Sequence, residues 1–213
     1  MLMDSTGDGI TTMSKGMIRS LVVASLATIG AAAHAVTFYN VIIASPPLSD
    51  GSSWSSTGNA INFYTPNAIL MDGAPAAFVP FSIQYDADMG TGNSANQVGV
   101  NLAVVTAGSG FVQFTEQVFE LDNANNEVGG PIGTDAFLFN PNTPVVYSND
   151  IALSRSVQKL RVKKTFFMNA ADVQNQLDLA AIQIVNQNVV PEPSALAALG
   201  LGLIAVARRR RSK

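Results

Sequence analysis

The chain reads as an all-β protein, an antiparallel β-sandwich of jelly-roll type. Three observations predict this. Short alternating or apolar runs recur through the middle of the chain, separated by Gly, Asn, Asp and Pro. Helical periodicity is scarce there. Only 13% of the 213 residues are charged while 17 are glycine, so Asn, Ser, Thr and Gln supply the polarity, a balance that suits β surfaces. An up-and-down barrel is the alternative closure of such strands. No internal repeat marks a solenoid or a propeller.

The first segment, residues 1–35, has the layout of a signal peptide. In "MSKGMIRSLVVASLATIGAAAHAV", Lys15 and Arg19 give a positive start, and residues 21–33 form an apolar core. Ala33-His34-Ala35 is a small-x-small cleavage site, so cutting is expected after Ala35. The partners implied are the Sec translocon and signal peptidase. Residues 1–12 carry Asp4 and Asp8 and no base, which does not suit such a start. Met13 opens a well-formed signal by itself and is read as the true start. Asp4 and Asp8 lack the ligand spacing of an EF-hand.

His34 is the only histidine, and there is no cysteine. Beyond the signal, Ser-His-Asp and Cys-His catalysis and imidazole- or thiolate-bound zinc are therefore excluded. Disulfides are excluded throughout.

The body, residues 36–188, offers strands at 36–44, 60–64, 78–85, 97–106, 111–121, 136–139, 145–153, 160–168 and 179–185. Gly108-Ser109-Gly110, between two strong runs, reads as a hairpin turn. Residues 170–176 are the one helical candidate, one or two turns long. Residues 36–190 hold twelve acids against five bases, a net charge of −7. That balance excludes nucleic acid as the main partner, since such binding rests on Lys and Arg neutralising phosphates.

All five bases of the body lie in "RSVQKLRVKK". On one strand, Arg155, Lys159, Arg161 and Lys163 share a face, with Leu160 and Val162 opposite. Such a row suits an acidic polysaccharide, because Arg binds uronate carboxylates in bidentate fashion. The competing reading is cross-strand pairing, with Glu116 and Glu120 of a neighbouring strand neutralising the row. Asp86 and Asp88 precede the loop "DADMGTGNSANQ" and are weak calcium candidates, as are Asp122, Asn125 and Glu127. The same residue types are ordinary turn formers, so no cofactor is required. Trp54 suits stacking on a sugar ring or anchoring a core. For catalysis, Glu116, Glu120 and Asp88 are the carboxylates a glycosidase could use, and Tyr85 or Tyr147 could serve a lyase. No pattern pairs them, and a non-enzymatic role is expected.

The last segment, residues 189–213, ends the chain with "VVPEPSALAALGLGLIAVARRRRSK". Residues 194–207 are uncharged and as a helix would span about 21 Å, short of a bilayer core of about 30 Å. Pro191 and Pro193 stop a helix from extending backwards. Arg208, Arg209, Arg210 and Arg211 suit a cytoplasmic stop-transfer flank.

These three parts, in this order at the C-terminus, resemble the PEP-CTERM sorting domain of Gram-negative bacteria. The resemblance covers about the last 25 residues. It implies that the chain is a substrate of exosortase, a membrane-embedded cysteine transpeptidase, with Pro191, Glu192 and Pro193 as recognition residues. The expectation is a membrane-anchored precursor that is cut and passed to the cell surface or the extracellular space. Members of the family occur in species that make exopolysaccharide, biofilm or floc. A structural or adhesive role in such a matrix is expected, and a carbohydrate-active enzyme with the same tail is the alternative.

Overall fold

The computed structural model describes residues 35–71, 79–170 and 177–192. Among these there is no helix. There are eleven strands: β1 Thr37–Ala44, β2 Ser53–Thr57, β3 Ala60–Tyr64, β4 Ile69–Met71, β5 Val79–Asp88, β6 Ser94–Ala107, β7 Phe111–Glu120, β8 Gly133–Phe139, β9 Val146–Val157, β10 Lys159–Asn169 and β11 Leu179–Glu192. They form two sheets in which every pairing is antiparallel. The front sheet has the order β1-β5-β10-β7-β8. The back sheet has the order β2-β3-β11-β6-β9, with β4 added beside β11. From β5 onward, every connection except β7–β8 crosses from one sheet to the other, as in a jelly-roll winding.

Alternation decides which side of each strand enters the core. In β10, Leu160, Val162, Phe166 and Met168 are buried, while Lys159, Arg161, Lys163 and Thr165 are only partly covered. In β11 the inward positions are Ala180, Ile182, Val185 and Val189, with a bulge between Ile182 and Ile184 that resets the alternation. Phe81 and Phe114 both pack on Phe166, with ring centroids 5.9 and 5.1 Å away. Rings of this size, fully buried, dominate the burial that holds such a core. Where β8 meets β9, the Tyr147 ring stacks on Phe137 at 4.3 Å, and its hydroxyl donates to both carboxylate oxygens of Asp135 at 2.9 Å.

Three polar side chains also point into the core. Lys164 and Glu116 face each other across β10 and β7, and Gln187 reaches them from β11 in the opposite sheet. The Lys164 ammonium donates to Glu116 Oε2 and to Gln187 Oε1. Gln187 Nε2 donates to the other Glu116 oxygen, Oε1, at 3.0 Å. Nearby, the fully buried Tyr85 hydroxyl has no hydrogen-bond partner among the described residues.

The structure corrects two expectations about strands. Gly108-Ser109-Gly110 is not a hairpin turn, because β6 and β7 belong to different sheets. The segment arches across the sandwich, and a Cβ on Gly110 would lie 2.0 Å from the Leu179 carbonyl oxygen. The basic run is not one strand either. Arg155 lies in β9 of the back sheet, and the chain crosses at Gln158 before β10 begins in the front sheet. β2 and β4 have no counterpart among the expected strands. The signal peptide up to His34, the helical candidate beyond Ala170 and the C-terminal hydrophobic helix lie outside the described residues. Among the described residues, no helix is long and apolar enough to cross a membrane.

Candidate functional site

The outer face of the front sheet carries Lys159, Arg161 and Lys163, three of the four cations singled out in the sequence, and each is engaged by a carboxylate. Lys159 Nζ lies 3.8 Å from Asp88 Oδ2. Arg161 binds Asp86 through Nε at 2.7 Å and Nη2 at 2.8 Å, and reaches Glu127 Oε1 through Nη1 at 3.2 Å. Lys163 Nζ is 2.6 Å from the same Glu127 oxygen and sits 4.6 Å from the Phe119 ring centroid. Arg155, on the other sheet, pairs with Glu120. Cross-strand pairing therefore occurs, with a different distribution from the one expected. Glu120 takes Arg155, Glu116 turns into the core to Lys164, and the row itself takes Asp88, Asp86 and Glu127.

The loop between β7 and β8 supplies Glu127 and is internally braced. Asp122 Oδ1 accepts the backbone N–H groups of Ala124 and Asn126, each at 2.8 Å, and these bonds, the Asn126 one foremost, hold its carboxyl below the usual carboxylate range. Asn125 adopts φ 64° and accepts the Tyr39 hydroxyl at 3.0 Å. Asn40 Nδ2 donates to Asp86 Oδ2 at 2.8 Å. Asp88 Oδ1 caps the Gly90 N–H at 2.8 Å, an ordinary turn role. Among the described residues, no group of three or more His, Cys, Asp or Glu could hold a metal ion.

Of the catalytic candidates, Glu116 and Tyr85 are buried in the core, and Glu120 is tied to Arg155. The Tyr147 hydroxyl is pushed up to about 12, chiefly by burial and then by its bond to Asp135. Trp54 opposes Phe63 in register, so it projects to the inner side of the back sheet at its edge, where it is 44% exposed.

The outer face of the back sheet is different in character. Pairing brings Ser55, Asn62, Asn186, Asn101 and Ser148 into one line across β2, β3, β11, β6 and β9. Ser148 Oγ donates to Asn101 Oδ1 at 2.7 Å, Asn101 Nδ2 to Asn186 Oδ1 at 3.4 Å, and Asn186 Nδ2 to Asn62 Oδ1. Among the described residues, Asn101 and Asn186 each donate once and accept once in this relay, and a carboxamide carries a second N–H and further acceptor capacity. To one side, Tyr64, Ile184 and Val146 are exposed at 63, 55 and 61%. To the other, Asn188 and Asp150 flank Gly99, and a Cβ there would lie 2.8 Å from Asp150 Oδ1, so the Asp150 carboxylate leans over the glycine. No sequence motif announced this row, because its members come from strands far apart in the chain.

At the end of β11, Pro191 pairs with Ala95 and Glu192 with Ser94. The Glu192 carboxylate accepts the hydroxyls of Ser94 at 3.3 Å and Ser156 at 3.2 Å. Strand pairing thus runs past residue 188, the expected end of the body, into the first two residues of the Pro-Glu-Pro triplet. Pro193 and Arg208, Arg209, Arg210 and Arg211 lie outside the described residues, as does Ala33. Ala35 is exposed, whereas Val36 is buried and donates its N–H to Asn59 Oδ1 at 3.3 Å.

Residues 189–211 match the PEP-CTERM protein-sorting motif. The tail marks the chain as an exported protein processed by exosortase. A comparison with curated protein sequences finds no match. Among solved structures, TmCBM61 in complex with beta-1,4-galactotriose is 12% identical, with a TM-score of 0.34, covering 73% of this chain and 87% of that one. A CBM4 structure is 5% identical, with a TM-score of 0.27 over 72% of this chain and 86% of that one. A structure of carbohydrate-binding modules from the beta-sandwich super family is 5% identical, with a TM-score of 0.31 over 70% and 55%. At these scores and identities the likeness defines neither a family nor a ligand.

Proposed function

We propose that the body is a polysaccharide-binding domain that serves an adhesive or structural role in an extracellular matrix of exopolysaccharide or biofilm. The observation that carries this reading is the amide row on the back sheet. Sugar hydroxyls both donate and accept, and the row offers both at every interior position. Tyr64, Ile184 and Val146 provide apolar surface beside it, suited to the C–H faces of a sugar ring. The row carries no cation, so the ligand it suits is a neutral chain. The front-sheet cations that would suit an acidic one already have carboxylate partners. The role is binding and not cleavage. On this reading the precursor is held in the membrane by residues 194–207 until exosortase acts.

The test is affinity electrophoresis of the protein purified from culture, in gels containing neutral or uronate-rich polysaccharides. Retardation by a neutral polymer, lost in Asn101→Ala and Tyr64→Ala, is the expected result. Equal retardation of these variants and the unaltered protein would overturn the assignment to this face. Release of reducing ends from the polymer would favour the enzymatic alternative.

A further inference from the structure

We propose that the core of the sandwich forms its own covalent cross-link, an isopeptide bond between Nζ of Lys164 and the side-chain carbonyl carbon of Gln187. Three features carry the proposal. Nucleophile, acyl group and acid–base group occupy one buried cluster, since Lys164 and Glu116 are fully enclosed and Gln187 is equally inaccessible. The Lys164 nitrogen contacts the Gln187 carbonyl oxygen directly. The two oxygens of Glu116 are divided between the reacting partners, Oε2 on Nζ of the lysine and Oε1 on Nε2 of the glutamine, the group that would leave.

The chemistry closes without any outside reagent. Glu116 takes one proton from the Lys164 ammonium, and the free amine attacks the Gln187 carbonyl carbon, forming the new C–N bond. The amine's second proton passes through the Glu116 carboxyl to Nε2. The C–Nε2 bond breaks, ammonia departs, and Glu116 returns to its starting state once the proton it first took leaves with the ammonia as ammonium. Lysine ammonium and carboxamide thus become a secondary amide and ammonium. Burial favours the first step by pushing the Lys164 pKa below the usual lysine value, against the opposing pull of the Glu116 charge. Solvent exclusion also protects the carbonyl from competing hydrolysis.

A simple polar cluster explains the arrangement less well. Taking two charges out of water carries a penalty that their mutual attraction seldom exceeds. A covalent bond removes the lysine charge. It also ties β10 of the front sheet to β11 of the back sheet in a protein that has no cysteine with which to make a disulfide. Because the three residues come from strands distant in sequence, the bond would form only after folding, which suits a chain exported unfolded.

Peptide mapping by mass spectrometry decides the matter on the unaltered protein from culture. Chymotrypsin cutting at Phe166, Phe167 and Leu179 separates Lys164 from Gln187 unless they are joined. The expected product is a branched peptide containing both, lighter than the sum of its parts by one ammonia, about 17 Da. In Glu116→Gln the two peptides should be recovered apart. Separate peptides of full mass from the unaltered protein would overturn the proposal, and this result does not depend on any variant folding. A branch from Lys164 to Glu116, with loss of water at about 18 Da, would also overturn it. A fully formed Lys164–Gln187 branch in Glu116→Gln would remove Glu116 from the reaction.

Discussion

Arg161 holds Asp86 through two parallel hydrogen bonds, Nε to Oδ1 and Nη2 to Oδ2, across the β10–β5 ladder. The carboxylate is fully buried beneath this contact, and Asn40 adds a third bond. The guanidinium beside it is held in its charged form even more firmly than usual, mainly by the bond to Asp86. The pair is therefore part of the scaffold. Asp86→Ala should destabilise the domain by about 2 kcal/mol, because it removes two charge-assisted bonds and leaves the guanidinium only Glu127 and the Asn125 carbonyl. Urea unfolding followed by tryptophan fluorescence would measure it. A change under about 0.5 kcal/mol would show that the pair is a surface ornament.

Binding by the back sheet should depend little on salt. The proposed contacts are hydrogen bonds and apolar stacking, which ionic screening affects weakly. Raising salt from about 0.05 to 0.5 M should change polysaccharide affinity less than about threefold if no ion pair is formed. Arg161→Glu should leave affinity intact in whatever fraction remains folded. A steep salt dependence would move the site to the front-sheet cations.

Acid should weaken the β7–β8 loop first. The Glu127 carboxyl lies below its ordinary value, chiefly through the hydrogen bond from Lys163 and also through Arg161. A carboxyl depressed in the folded state contributes fully above its unfolded value, about 4.3. That contribution is lost as pH falls from there through the folded value. Stability should therefore be flat in this respect above about pH 5 and fall below about pH 4. Glu127→Gln should flatten part of that slope. An unchanged acid limb in the variant would show that other carboxyls set it.

Tyr85 presents the opposite case. Its hydroxyl is buried without a partner among the described residues, and burial, reinforced by the charge of Glu116, raises its pKa well above the ordinary value. An unmet buried hydroxyl costs about 1–3 kcal/mol, so Tyr85→Phe should raise stability by about 1 kcal/mol while keeping the ring contacts with Phe38 and Phe63. Thermal unfolding would register the gain. A loss of stability would mean that the hydroxyl is satisfied in solution.

Much of the fold was legible in the sequence because alternation and turn residues act locally. β3 begins and ends where its pattern does, at Ala60 and Tyr64. β2 was not legible, since "SWSST" at an exposed edge has no buried face to alternate with. The break at Gln158 carries no Gly or Pro, so Arg155 looked continuous with the bases of β10. The buried cluster leaves a trace in the alternation. Lys164 falls in step with Leu160, Val162 and Phe166, and Glu116 with Val112, Phe114 and Val118. The amide row could not be read at all, because it exists only once Asn62, Asn101 and Asn186 are brought into register by tertiary pairing.

The continuity of β11 with the sorting tail has a mechanical consequence. β11 lies between β3 and β6, bonded to both, and carries its pairing with β6 out to Glu192. Tension applied at the C-terminus therefore enters the sandwich lengthwise along an interior strand. It loads the flanking ladders in shear, so that many bonds must fail together, instead of peeling an edge one bond at a time. The tail is joined to the part of the domain best able to bear a pull, close to the face proposed to grip a polymer.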